Sequence, residues 1–148
     1  MRSSDKSVKL TLGVVRVLAA VFIVLVFTAP FLFKLYFDWS GLSKTQFIAF
    51  TVPFYACCPP AAITLLSLNK LLSNVKKGSV FVLENVRLLK RLSVVCLTAG
   101  ILCIPVCFFL AEMFVFPAEA GFMSLILHVV KNVIEKGTEI KDENDLTI

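Results

Sequence analysis

Residues 47–68, FIAFTVPFYACCPPAAITLLSL, make an unbroken run of 22 residues without a charge. As an α-helix such a run extends about 33 Å, and the hydrocarbon core of a bilayer is about 30 Å thick. Core strands are far shorter, and a surface helix needs a polar face. Residues 17–33 and 92–111 are likewise uncharged, and residues 117–136 form a shorter, more polar block containing Glu119 and His128. The chain is 58% hydrophobic and 17% charged, against about a quarter charged for soluble domains, so the membrane reading needs no special pleading. We therefore expect an all-α membrane protein with four transmembrane helices in an up-down-up-down bundle. The helices are expected at about residues 10–34, 46–72, 83–111 and 117–136 of a single domain spanning 1–148. The charged start followed by an apolar run is longer than a signal-peptide core, and Thr28-Ala29-Pro30 is a poor cleavage site, so the first block reads as an uncleaved helix.

Basic residues set the expected orientation. Arg2, Lys6, Lys9 and Arg16 precede the first apolar run, and Lys70, Lys76, Lys77, Arg87, Lys90 and Arg91 fall between the second and third. Lys131, Lys136 and Lys141 follow in the last segment, which leaves only Lys34 and Lys44 for the two remaining connections. The positive-inside rule then puts both termini and the central stretch in the cytoplasm. Arg16 is expected to snorkel to the headgroups. Because the net charge of +5 punctuates apolar blocks, it does not describe a basic face for nucleic acid, and no direct nucleic-acid binding is expected.

Local signals place the turns. Tyr36, Phe37 and Trp39 suit a membrane interface, and Gly41 supplies the turn after them. Pro59-Pro60 removes two backbone donors in mid-span and predicts a kink or unwinding near residues 55–58. Pro117 fits the first turn of the fourth helix.

Chemistry is sparse. Cys57, Cys58, Cys96, Cys103 and Cys107 all lie in apolar blocks, an odd count without a loop cysteine, and read as small buried hydrophobes rather than a disulfide framework. No nucleophile–base set, phosphate loop or paired metal ligands appear, so we expect no catalytic residues, no cofactor, no metal and no enzyme. Glu112 and Glu119 are the candidate ion or proton carriers. A carboxylate at the bilayer centre costs at least about 2.5–3.5 kcal/mol, yet the expected topology puts both near the outer interface, within reach of Lys34. Glu119 and His128, with a proline in every span, support a small channel or transporter subunit as the alternative function.

The central stretch 69–92, NKLLSNVKKGSVFVLENVRLLKRL, is amphipathic on both sides of Gly78-Ser79. It serves as a positive anchor on anionic lipid, or as a cytoplasmic hairpin over 69–91 offering an apolar groove of Leu71, Leu72, Val75, Phe81, Leu88, Leu89 and Leu92 with a basic rim. The pattern Gly78, Phe81, Asn85 leading into the third span resembles the motif of the YoaS-like family of bacterial four-helix membrane proteins of unknown function. The ending Asp142-Glu143-Asn144-Asp145-Leu146-Thr147-Ile148 is similar to that family's acidic terminus, although Val80 stands where members often carry proline. The resemblance implies a regulatory membrane protein that binds or sequesters a small cytosolic helix-turn-helix transcription regulator, since such regulators commonly neighbour the family's genes. Gly78, Phe81, Asn85, Arg87 and the tail residues Asp142 to Leu146 then form the expected interaction motif, and the lipid bilayer, that regulator and a second copy of the chain are the expected partners. The acidic tail 137–148 is expected to fold back on Lys76, Lys77, Arg87, Lys90 or Arg91.

Overall fold

A computed structural model describes residues 2–41, 43–108 and 111–145, for the backbone alone at 2–5, 111–112 and 145. Four long helices follow one another: α1 Arg2–Ser40, α2 Lys44–Lys76, α3 Leu83–Cys107 and α4 Val115–Asp145, the last preceded by a 3₁₀ turn Ala111–Phe114. Three of them are long and apolar enough to cross a membrane, over Lys6–Ser40, Lys44–Lys76 and Leu83–Cys107. α4 is not among them, because Glu119 and His128 interrupt its first half and its second half carries Lys131, Glu135, Lys136, Glu139, Lys141, Asp142 and Glu143.

Neighbouring helices run antiparallel. The Tyr55 hydroxyl on α2 donates to Val26 O on α1 (3.2 Å), and Phe33 and Phe37 of α1 meet Phe47, Phe50 and Phe54 of α2 edge-on. Cys57 Sγ approaches Cys103 Sγ of α3 at 3.6 Å. Ser93 of α3 and Ser124 of α4 exchange hydrogen bonds, each hydroxyl donating to the other residue's carbonyl at 2.9 and 2.8 Å. Further along this seam a Cβ on Gly100 would stand 2.9 Å from Ala120 Cβ. Absence of a side chain there lets the two backbones close up, which lipid-embedded helices need because apolar burial gives them little mutual attraction.

The bundle is open on one side. Among the described residues α1 packs on α2 alone, and α4 packs on α3 and its own 3₁₀ turn. The helices form a curved row with α1 and α4 at its ends. Alternation brings the start of α1, the end of α2, the start of α3 and the end of α4 to one end of the molecule, where most of the basic residues lie.

Several boundaries differ from expectation for local reasons. α1 starts by Arg2 and continues to Ser40, since nothing stops it before Gly41, which takes φ +64°. α2 begins at Lys44 because Ser43 and Gln46 form a capping box, the Ser43 hydroxyl accepting from Gln46 N and the Gln46 side chain accepting from Ser43 N (2.9 Å). It continues through Pro53, Pro59 and Pro60, so the expected unwinding at 55–58 is absent. α3 ends at Cys107 rather than 111, and α4 starts at Val115, which puts Pro117 within the first turn where no intrahelical donor is lost. The expected separate tail is instead the end of α4, helical to Asp145. Lys131–Glu135 (2.8 Å) and Lys136–Glu139 (3.3 Å) pairs support that polar extension.

Candidate functional site

At the basic end, the loop proper is only residues 77–82; the remainder of the expected hairpin belongs to the last turns of α2 and the first turns of α3. Helix α2 closes with Gly78 at φ +80°, Gly78 N donating to Val75 O (3.0 Å) and Ser79 N to Asn74 O (3.0 Å). These two bonds define a Schellman ending, whose left-handed position glycine fills at little cost.

Asn85 then fixes the loop from the other side. It is 1% exposed, and its Nδ2 donates to Ser79 O and Val80 O, both at 2.8 Å. Two acceptor carbonyls require the amide nitrogen on that side, so Oδ1 faces α2, where Asn74 Nδ2 donates to it at 2.9 Å. Asn74 Nδ2 also donates to Glu84 Oε2 (2.8 Å), and Lys70 Nζ pairs with Glu84 Oε1 at 2.6 Å. Glu84 occupies the first turn of α3, where a negative charge complements the helix dipole. It stands more than two turns ahead of Leu92, where the uncharged run of α3 begins. Hydrogen bonds from Lys70 and then Asn74 hold its carboxyl below the ordinary carboxylate value. Val82, the N-cap, offers no side-chain acceptor, and Asn85 takes over the ordering of the loop.

Phe81 connects this loop to α4. Its ring lies against Gly137, so that a Cβ there would come within 2.6 Å of Phe81 Cδ1. One residue on, Thr138 is buried and donates to Ile134 O. The three motif residues thus have distinct parts: Gly78 reverses the chain, Asn85 fixes the loop and Phe81 docks it on α4.

Other expected residues are placed differently. Leu88, Leu89 and Leu92 are buried core residues, so the apolar groove expected between the arms of the hairpin is filled. Arg87, Lys90 and Arg91 remain exposed beside it. Asp142, Glu143 and Asn144 lie exposed on the last turns of α4; the Asp145 side chain and Leu146 lie outside the described residues. Among the described residues this helix meets the loop at Gly137; the expected ionic clasp rests in part on Asp145, whose side chain lies outside them. His128 is exposed on α4. Glu119 is exposed as well, on the rim of the groove between α1 and α4, while Lys34 lines a separate hollow with Asp38 and Lys44 at the α1–α2 turn. The expected pairing of those two is not among the described ion pairs. Asn74, Lys70 and Gly137 were not singled out by the sequence reading. A glycine within a polar helical segment is the one signal that pointed to a close approach.

These features define an all-helical protein with three candidate membrane spans and an ordered basic turn at one end. The chain belongs to the DUF2975 family, a family of proteins of unknown function, whose model matches residues 4–148. No curated protein and no solved structure matches it.

Proposed function

We propose that the chain is a non-enzymatic, regulatory membrane protein whose basic end binds or sequesters a small cytosolic helix-turn-helix regulator. The observation that carries this reading is the Asn85 network. An anchor that holds anionic lipid by charge works with any loop carrying lysines. Here a buried asparagine with three hydrogen bonds gives residues 77–82 a fixed shape, which is what recognition of a partner uses. Arg87, Lys90 and Arg91 flank that shape with charge, and the α4 extension adds an acidic helical arm beside it. In this reading α4 crosses the membrane a fourth time over residues 117–136, and the positive-inside bias puts the platform in the cytoplasm.

Membranes solubilised from cells expressing the tagged full chain, a chain lacking residues 142–148 and an Asn85→Ala chain test the proposal. The full chain is expected to retain a small DNA-binding protein, and both altered chains to retain less of it. Recovery of no DNA-binding protein with the full chain overturns the reading.

A further inference from the structure

We propose that the open side of the helix row is a binding site for lipophilic organic cations, with Glu119 as the counter-charge. All four helices contribute to this groove, which has a volume of about 670 Å³ and so falls in the range of small-molecule sites. Phe22 of α1, Cys57 of α2, Cys103 of α3 and Phe116 of α4 are among its walls, and among the described residues Glu119 is the one charged residue that lines it. No described lysine or arginine lines the groove, and Glu119 enters none of the described ion pairs.

The lining selects its ligand by elimination. An anion meets a carboxylate with no donor to offset it. A small hydrated cation finds one carboxylate and walls that cannot replace its water. A neutral apolar molecule fills the groove but leaves the carboxylate without a counter-charge. A cation with its charge spread over, or shielded by, apolar groups satisfies both the wall and the carboxylate. Phe22 and Phe116 add aromatic rings to the wall, a residue type that attracts such a charge. The groove opens laterally between α1 and α4, which admits a ligand already dissolved in the bilayer.

The test uses the full chain in nanodiscs of phosphatidylcholine, titrated with radiolabelled tetraphenylphosphonium. Expected is saturable binding of about one cation per chain. Glu119→Gln is expected to bind about tenfold more weakly, as for one lost charge-assisted contact. Glu119→Asp should keep most of the affinity, and Ala61→Phe, which puts a ring into the groove from its α2 wall, should abolish binding. Melting temperatures of the variants separate lost binding from lost fold. Binding no greater than that of empty nanodiscs, as when lipid or a second copy covers the groove, overturns the proposal. Equal affinity of the wild-type chain and a folded Glu119→Gln does so too.

Discussion

The ring of Phe81 in the α2–α3 loop rests on the bare backbone of Gly137 in α4, joining two segments 56 positions apart. The joint depends on the absence of a side chain at 137. Substituting Gly137→Ala is expected to displace the ring and cost about 1–3 kcal/mol, the usual range for overpacking. In a Phe81→Ala background the same change should be nearly neutral or mildly stabilising, since alanine is the better helix former. A double-mutant cycle on thermal stability checks this; additive effects of the two substitutions would contradict the contact.

Asn85→Ala removes the donor to Ser79 O and Val80 O and the acceptor for Asn74. Partners left without a bond in a buried place cost about 1–3 kcal/mol each, so this variant should be among the most damaging single changes at the basic end. Hydrogen exchange should rise at residues 77–82. Asn85→Asp should not rescue, because a carboxylate would face two carbonyl oxygens. Unchanged protection in Asn85→Ala would rule out the ordering role.

Helices α3 and α4 meet at Gly100, where any Cβ presses on Ala120. Gly100→Leu is expected to force the pair apart, whereas Ser93→Ala should cost only about 0.6 kcal/mol, the average for interhelical hydrogen bonds in lipid. Cysteine cross-linking between the two helices reads the separation. If Ser93→Ala proved the more damaging, the seam would be polar rather than steric in origin.

The salt bridge of Lys70 with Glu84 gives a pH signature. A carboxyl held below its ordinary value by Lys70 and Asn74 stabilises the folded chain above the unfolded-chain value. That contribution disappears as pH falls through the lowered folded value. Melting temperatures in Glu84→Gln should therefore fall less steeply on acidification than those of the parent, with little difference in slope near neutrality. Parallel curves would show that this carboxylate does not couple to folding.

Much of this architecture is legible in the residues, and the reasons are physical. Uncharged runs such as 47–68 announce helices because backbone groups in lipid must be satisfied within the segment, and Gly41 and Gly78 mark the turns because both take positive φ. Of the kink or unwinding expected at Pro59-Pro60, the unwinding does not occur, and α2 stays helical through both prolines. The end of α4 was hidden by its polarity: residues 137–145 look unfoldable alone, yet they extend an existing helix and so need no new nucleus. The role of Asn85 was legible only as a motif position. Its partners Asn74, Ser79 and Val80 lie across a turn whose closure a linear pattern does not display. The row-like arrangement, with α1 and α4 apart, has no periodic signature, because the uncharged runs of α1, α2 and α3 are apolar on most sides.

Site-specific photo-crosslinking in cells tests the central claim most directly, with a crosslinking amino acid placed in turn at Lys90, beside the ordered loop, and at Trp39, at the opposite end of the molecule. The account predicts an adduct from position 90 with one small DNA-binding protein, its loss when Asn85→Ala is added, and none from position 39. No such adduct from position 90, or the same adduct from both ends, would contradict it.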